Sequence, residues 1–258
     1  MEPNIISVSR REDIPAFRGD WFMDRLKEGY VTLNNPFSGK DYQINFDKTY
    51  FAVFWTKNPK PFMKHLNELP FNYYFQYTLN DYPEYELNVP PLDERIKTFK
   101  ELSDEIGAEK VIWRFDPIII NDTINEDEIL KRIQNIGDQL IEYTYKLVFS
   151  FIDPYKKLGN KFQEIDVDTK ISIAKKLVEL NKKWNFTIST CAEAIDLEGI
   201  EHNRCIDPVL IDQIGHGSGR WNSGKKDKSQ RAACGCAASS DIGTFRTCRH
   251  RCDYCYAK

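Results

Sequence analysis

The segment TCRHRCDYCYAK, residues 247–258, holds three of the seven cysteines of this chain, Cys248, Cys252 and Cys255, in the spacing C-x3-C-x2-C. Three thiolates on one short loop can bind three irons of a 4Fe-4S cluster and leave the fourth iron open to another ligand. A zinc ion would need a fourth ligand, and the local candidate is His250, whose place inside the spacer gives poor tetrahedral geometry. The spacing therefore favours an iron-sulfur cluster over zinc.

Four further cysteines precede that segment: Cys191, Cys205, Cys234 and Cys236. Four thiolates are the number that closes a 4Fe-4S cluster or an all-cysteine zinc site. We predict that these four residues hold a second, auxiliary 4Fe-4S cluster. One alternative is that the four thiolates hold a structural zinc ion. The simplest alternative is that Cys191 and Cys205 are small buried residues and that the Cys-Gly-Cys pair is reactive or incidental.

Charged residues follow or interrupt several apolar segments that read as strands. In parallel βα architectures the functional groups lie just beyond the carboxyl ends of the strands, so these residues are candidates for holding a cofactor. Arg114 and Asp116 interrupt the apolar run VIWRFDPI, where a charge is costly to bury unless it is paired. The alternative for that pair is a structural salt bridge. The predicted cofactor-binding residues are Arg10, Lys57, Arg114, Asp116, Asp153 and Glu193.

The composition is that of an ordinary globular protein. The 258 residues are 41% hydrophobic and carry a net charge of −3, so nothing draws the chain as a whole to nucleic acid or to an anionic membrane. No apolar run approaches the length of a membrane span, and the first residues do not resemble a secretory signal. We therefore expect a soluble, cytoplasmic protein with no membrane partner. In that reducing compartment, metal binding or catalysis explains seven cysteines better than disulfides do.

Six short apolar segments predict strands, and amphipathic segments between several of them predict helices. Strands this apolar are expected to be buried on both faces, and their alternation with helices predicts parallel βα units. We expect an α/β fold built as a (βα)6-type partial TIM barrel, with a doubly wound open sheet as the main competitor. The strands are IISVS, YFAVFW, YYFQYTL, VIWRFDPI, KLVFSFI and FTISTC, and the helices are PPLDERIKTFKELSDEIG, INEDEILKRIQNIGDQLIEY and DTKISIAKKLVELNKKW.

The character of the sequence changes after residue 198. It becomes rich in glycine, serine and charge, with little periodicity beyond DPVLIDQIG, a short helix candidate. We predict a single structural unit in two parts, a (βα) barrel core over residues 1–198 and an irregular, cysteine-rich iron-sulfur extension over residues 199–258. The extension is expected to fold over the strand ends and pack on the mouth of the barrel.

The terminal motif resembles the cluster-binding signature of the radical SAM superfamily, including the aromatic Tyr254 directly before Cys255. Over nearly its whole length the chain also resembles a bacterial and archaeal family catalogued as a domain of unknown function. In the superfamily the three-cysteine loop follows the first strand of a partial barrel, whereas here it follows all six predicted strands. The segments that carry the family resemblance are SRREDIPAF, FWTKNP, YYFQYTL, VIWRFDPI, TCAE, CGCAASSDIGTF and TCRHRCDYCYA.

The superfamily resemblance implies a chemistry. It implies that S-adenosylmethionine (SAM) chelates the open iron and that one electron cleaves its sulfonium, giving methionine and a 5′-deoxyadenosyl radical that abstracts hydrogen from a substrate. The implied partners are a small-molecule or nucleotide-like substrate and an electron donor such as ferredoxin or flavodoxin. Nucleic acid is a further candidate, because the family resembles lyases that repair DNA photoproducts, but the net negative charge argues against it.

Basic residues surround the terminal motif, namely Arg246, Arg249 and Arg251, and the stretch RWNSGKKDKSQR lies upstream. Such runs are most often solvated loops. The functional alternatives are partial neutralisation of an anionic cluster and contact with the phosphate of a nucleotide or nucleic acid.

Two other functions stay open at the level of the sequence. A non-enzymatic electron-transfer or redox-sensing protein would share the cysteines without needing charged residues at the strand ends. A barrel hydrolase or lyase would use the cysteines to bind structural zinc. The strand-end charges favour an enzyme over a carrier, and Tyr254 favours an iron-sulfur cluster over zinc.

Overall fold

The computed structural model describes residues 4–35, 38–155, 158–159, 161–215 and 225–258. Within these ranges the chain forms an α/β fold in which eight strands make one parallel sheet and two more make a separate antiparallel ribbon. The strands are β1 (Asn4–Val8), β2 (Tyr30–Asn34), β3 (Asp41–Asn45), β4 (Thr49–Thr56), β5 (Asn72–Thr78), β6 (Val111–Ile118), β7 (Lys146–Phe151), β8 (Thr187–Thr190), β9 (Glu201–His202) and β10 (Ser240–Asp241).

The order of strands across the sheet is β10-β1-β4-β5-β6-β7-β8-β9, and the sheet is not closed. From β1 to β8 each strand of this sheet lies beside the next strand that joins the sheet, and every pair is parallel. Strands are added in one direction from β1 to β9, and only the two-residue β10 is added at the opposite edge, beside β1. All six predicted strands are confirmed, and the ribbon of β2 and β3 is additional to them.

The helices connect successive strands. They are α1 (Ile14–Phe17), α2 (Gly19–Glu28), α3 (Leu92–Ile106), α4 (Glu126–Leu140), α5 (Val167–Trp184) and α6 (Pro208–Ile214), with 3-10 helices at Lys60–Glu68 and Ala108–Lys110. The predicted helices correspond to α3, α4, α5 and α6. Side-chain caps begin α4 and α5, where Asn125 and Asp166 each accept a backbone N–H. No helix in the described ranges is both long and apolar enough to cross a membrane.

The two faces of the sheet pack against different parts of the chain. Side chains alternate along a strand, so Ala52 and Phe54 of β4 join the core cluster on the helix-covered face. Phe51 and Val53 join a second cluster on the opposite face. That second cluster is completed by Cys205, Ile206, Leu210, Ile211, Ile214, Cys234, Cys236 and Ala237, all from the cysteine-rich part of the chain.

Residues 199–258 also supply the two outermost strands of the sheet. β9 pairs with β8 at one edge, and β10 pairs with β1 at the other. Beyond β10, a Cβ on Gly243 would lie 1.8 Å from Ser9 Oγ, so only glycine allows the chain to pass this close to the end of β1. The last residues of the chain are thereby directed to the carboxyl ends of the strands.

Candidate functional site

The carboxyl ends of strands β1 and β4 to β8 open on one cavity of about 510 Å³. This volume lies in the range of small-molecule sites, and strand ends are where parallel α/β folds place them. All seven cysteines line the cavity. The predicted residues Arg10, Lys57, Arg114, Asp116 and Asp153 line it as well.

Glu193 is the predicted site residue that the structure does not place in the cavity wall. One of its carboxylate oxygens accepts a hydrogen bond of 2.9 Å from the backbone N–H of Phe151. The other lies 3.8 Å from Lys170 Nζ on α5. Glu193 therefore connects the end of β7 to α5. The cavity wall is instead lined by Cys191, the last residue of the sixth predicted strand.

Cys191, Cys205, Cys234 and Cys236 come together as a four-thiol cluster. The sulfurs of Cys191 and Cys205 lie 3.5 Å apart. Side-chain hydrogen bonds link Cys205 to Cys236 and Cys236 to Cys234. Cys191 follows β8, whereas the other three lie on the segment that packs on the face of the sheet opposite the helices. The expected convergence of these four thiols is therefore present.

Arg114 connects the four-thiol cluster to the centre of the sheet. Its guanidinium donates to Cys205 Sγ at 2.8 Å and forms an ion pair with Asp116, which also accepts a hydrogen bond from Ser150. Asn203 Nδ2 donates to the same sulfur at 3.1 Å. The hydrogen bond with Cys191 and the charge of Arg114 lower the pKa of the Cys205 thiol, but the effects of Cys236 and of burial outweigh them and leave this pKa raised. The Arg114–Asp116 pair is thus a salt bridge that also contacts a thiol.

Cys234 is the most acidic thiol of the four-thiol cluster. A hydrogen bond with Cys236 lowers the pKa of Cys234 to about 7. Cys191 of the same cluster differs, because the hydrogen bond with Cys205 and burial raise the pKa of that thiol. Near neutral pH a substantial fraction of Cys234 is therefore thiolate and ready to bind a metal or react.

The terminal loop, residues 247–258, brings Cys248, Cys252 and Cys255 to the cavity wall. A turn closes between Cys252 and Cys255 through a backbone hydrogen bond of 3.0 Å, and Asp253 N donates to Tyr85 O at 3.0 Å. Cys252 is the most buried of the three thiols, at 4% exposed. Burial raises the pKa of Cys252 to about 12, although the nearby charge of Lys57 opposes the rise.

A buried polar network, made of Lys57, Asn80, Glu86, Arg95 and Tyr254, supports this turn. Lys57 Nζ donates to Glu86 Oε1 at 2.7 Å and to Tyr254 Oη at 2.9 Å. Asn80 Nδ2 also donates to Tyr254 Oη, at 2.9 Å, and the phenol donates to Glu86. Arg95 NH1 reaches the second Glu86 oxygen at 3.3 Å. The hydroxyl of Tyr254 therefore accepts two hydrogen bonds and donates one beneath the cysteine loop.

His250 is engaged on both sides of its ring. Its Nε2 lies 3.0 Å from Asp13 Oδ2, and its Nδ1 lies 3.0 Å from the carbonyl oxygen of Asn88. Asp13 in turn begins α1 and accepts from Thr56 Oγ1 and from the backbone N–H of Lys57, both at 2.7 Å. Because both ring nitrogens are occupied, His250 holds the loop to β4 and is a poor fourth ligand for zinc.

The basic rim of the terminal loop, Arg246, Arg249 and Arg251, is exposed. The guanidinium of Arg249 lies 5.7 Å from the centre of the Phe17 ring. Of the upstream basic stretch, residues 220–224 lie outside the described residues. Among the described residues, no group of three or more His, Cys, Asp or Glu side chains is arranged as a single-ion metal site.

Sequence reasoning missed several residues that shape the site. Glu86 and Asn88 lie in the loop after β5, at positions that no local periodicity marks as functional, and Arg95 is on α3. Asp241 and Arg231 lie in the aperiodic cysteine-rich region. The signal that was available for Arg95 is that a charged residue falls among the apolar positions Ile96, Phe99 and Leu102 of an amphipathic helix.

The comparisons with known proteins place the chain in a family. No curated protein matches it. A family model matches residues 5–257, which include the whole sheet from Ile5 onward, the four-thiol cluster and the three cysteines of the terminal loop. The chain therefore belongs to the family described as "Domain of unknown function (DUF1848)".

Proposed function

We propose that this chain is a radical SAM-type iron-sulfur enzyme whose catalytic cluster is held by Cys248, Cys252 and Cys255. The observation that carries the proposal is that these three thiols line the strand-end cavity together with the predicted cofactor-binding residues Arg10, Lys57, Arg114, Asp116 and Asp153. An electron carrier needs no such polar cavity, so an enzyme accounts for more of the site.

The fold supports the same proposal. A (βα)6-type partial barrel with a packed C-terminal extension requires consecutive parallel strands, helices on one face of the sheet and the cysteine-rich segment on the other. The strand order from β1 to β8 and the two core clusters are consistent with these requirements. In this proposal residues 1–198 form the barrel core and residues 199–258 form the extension over its mouth. We further propose that the protein acts in the cytoplasm with an electron donor such as ferredoxin or flavodoxin.

The residues present fit a thiolate-bound cluster, because three thiols from one loop face one cavity and leave room beside them for a ligand. A bound 4Fe-4S cluster would supply one electron that splits the sulfonium of SAM into methionine and a 5′-deoxyadenosyl radical. Arg10 is suited to hold an anionic group of a ligand, because it lines the cavity and its guanidinium carbon lies over the Trp55 ring, 5.0 Å from the ring centre. Asp116 and Asp153 offer carboxylates to an ammonium or to ribose hydroxyls.

The four-thiol cluster is proposed to hold an auxiliary 4Fe-4S cluster, which its four cysteines can close. A single zinc ion is the second candidate for this site, and one sulfur–sulfur distance is compatible with it, although no three of the described thiols are arranged around a single ion. Tetrahedral zinc with bonds of about 2.3 Å to sulfur places neighbouring sulfurs about 3.8 Å apart, close to the 3.5 Å between Cys191 and Cys205. The thiolates of a cubane bind different irons and lie further apart.

Metal analysis after anaerobic purification tests both sites. About eight irons per chain support two cubanes, whereas about four irons with one zinc support a zinc-bound four-thiol cluster. The purified protein is then incubated with dithionite and SAM, and 5′-deoxyadenosine is measured. Zinc without iron, or a reducible cluster that leaves SAM intact with candidate substrates present, would contradict the proposed function.

Matched cysteine variants separate the two sites. Cys252→Ala is expected to remove about four irons and to abolish SAM cleavage. Cys234→Ala is expected to leave the EPR signal of the SAM-binding cluster unchanged while the metal of the four-thiol cluster is lost. If each variant loses both metals, the seven cysteines form one merged site and the assignment of two sites is wrong.

A further inference from the structure

Lys57 lies directly below the turn that carries Cys252 and Cys255. It follows β4, its side chain is 15% exposed, and two of its three ammonium donors are used on Glu86 and Tyr254. The ammonium also lies 5.4 Å from the centre of the Tyr254 ring. Lys57 is therefore held in one place by Glu86 and by Tyr254, the residue directly before Cys255 in the motif.

The charges around Lys57 do not cancel. Glu86 is the carboxylate of the buried polar network, and it is shared by two cations, Lys57 at 2.7 Å and Arg95 at 3.3 Å. Asp116 is paired with Arg114 and lies outside this network. The network thus keeps one positive charge in excess beneath the terminal loop.

This excess charge is costly unless something nearby is negative. Lys57 lines the same cavity as Cys248, Cys252 and Cys255, and its ammonium donates to Tyr254, the residue directly before Cys255. A cluster bound by the three thiolates would place negative charge beside this buried ammonium.

We propose that Lys57 is a charge-compensating and positioning residue for the terminal loop, whose ammonium stabilises the negative charge of the thiolate-bound cluster and favours its reduced state. The inference rests on the proposed function, because it presumes a cluster on Cys248, Cys252 and Cys255. It differs from the sequence-based prediction for Lys57, which was direct contact with SAM. The reduction potential of an iron-sulfur cluster depends on its net charge and on nearby charges, so a fixed cation raises it.

A series of variants changes the charge of the network one unit at a time. Lys57→Met leaves Arg95 to balance Glu86, so the excess positive charge disappears without leaving a buried carboxylate unpaired. The double variant Lys57→Met/Glu86→Gln regains the excess through Arg95. Glu86→Gln alone increases the excess and keeps Lys57 in place. Lys60→Met is the matched control, because Lys60 is exposed and pairs with Glu101 on the surface.

The readout is the midpoint potential of the cluster whose EPR signal depends on Cys252, measured by redox titration of the reconstituted full chain. We expect a lower potential in Lys57→Met, a return toward the wild-type value in the double variant and a higher potential in Glu86→Gln. Lys60→Met is expected to have the wild-type potential. If Lys57→Met fails to assemble the cluster, Glu86→Gln still tests the effect of charge.

The outcomes separate this inference from the proposed function. If wild-type protein binds iron and cleaves SAM while all variants keep the wild-type potential, the inference is wrong and the proposed function stands. If Lys57→Met lowers the potential but the double variant does not restore it, Lys57 acts through contacts and charge compensation is excluded. If the terminal loop of the wild type binds no iron, both proposals fail together.

Discussion

The carboxylate of Asp241 accepts a hydrogen bond of 2.7 Å from the hydroxyl of Ser7, a residue 234 positions earlier in the chain. The same carboxylate accepts from Ser9 Oγ at 2.7 Å and from the backbone N–H of Arg10 at 2.9 Å. These bonds lie beside the pairing of β10 with β1. They fix the point from which the terminal loop enters the cavity, so the position of the three terminal thiols depends on the end of β1.

Replacing Asp241 with alanine is expected to loosen the terminal segment. The change removes several hydrogen bonds to a charged, largely buried acceptor, and we expect a loss of about 3 kcal/mol in the free energy of unfolding. Urea denaturation measures that loss, and limited proteolysis is expected to cleave first within residues 225–258. The control Asp104→Ala removes an exposed acid on α3. A proteolysis pattern identical to the wild type in Asp241→Ala would contradict this role.

Stability at acid pH is expected to depend on Asp116. Burial raises the pKa of this carboxyl, but Arg114 and a hydrogen bond from Ser150 outweigh burial and leave it lowered. A carboxylate whose pKa is lower in the folded state stabilises the fold above its unfolded value of about 3.9, and this contribution is lost as pH falls through the folded value. Wild-type protein is therefore expected to lose stability below about pH 4.

The variant Asp116→Asn tests this dependence. Because Arg114 would keep its buried charge without a carboxylate partner, we expect a loss of about 3–5 kcal/mol at pH 7. Urea denaturation between pH 3 and pH 7 is expected to show a flatter acid dependence than in the wild type. Asp122→Asn, at an exposed position, serves as the control. If the free energy of unfolding falls with pH at the same slope in Asp116→Asn and in the wild type, Asp116 is not the source of the acid dependence.

The thiols of the metal-free, reduced protein are expected to differ in their pH dependence. Cys234 has its pKa lowered to about 7 by the hydrogen bond with Cys236, whereas burial raises that of Cys252 to about 12. Since the thiolate is the reactive form, alkylation of Cys234 is expected to rise through pH 7 while Cys252 reacts little below pH 9. Peptide mapping by mass spectrometry after timed alkylation measures both.

The variant Cys236→Ala isolates the cause of the acidity of Cys234. Loss of the hydrogen bond is expected to shift the alkylation profile of Cys234 to higher pH, whereas Cys248→Ala on the terminal loop leaves it unchanged. A profile of Cys234 that stays at the wild-type midpoint in Cys236→Ala would show that the hydrogen bond is not the cause.

The basic rim is expected to speed the approach of an acidic electron donor. In the double variant Arg249→Glu/Arg251→Glu we expect reduction of the cluster by a flavodoxin-type donor to slow about tenfold at low salt, because the rim then repels the acidic donor. The difference from the wild-type rate is expected to shrink at high salt, because salt screens the charges. Stopped-flow absorbance measures the rate. Lys131→Glu/Lys175→Glu, on α4 and α5, is the control. Unchanged reduction together with loss of duplex DNA binding would instead assign the rim to nucleic acid.

The regular elements of the core could be predicted because their signals are local. VIWRFDPI forms β6 over the predicted residues, and the amphipathic spacing of Ile96, Phe99 and Leu102 gives α3 its buried face. β9 and β10 could not be predicted, since each has two residues and exists only by pairing with β8 or β1. The ribbon of β2 and β3 depends likewise on contacts made by Val31, Leu33 and Ile44 with the core.

The sequence by itself determined which chemistry is available, namely seven thiols in groups of three and four and charged residues at the ends of apolar strands. Only the tertiary structure decided how these groups are arranged. In the folded protein Glu193 bonds to the backbone of Phe151 outside the cavity wall, and Arg114 donates a hydrogen bond to Cys205. Lys57, Glu86 and Tyr254 are in contact although up to 197 residues separate them. The physical reason is that helices and strands follow from periodicities a few residues long, whereas the ion pairs and hydrogen bonds of a buried site form wherever packing brings complementary groups together.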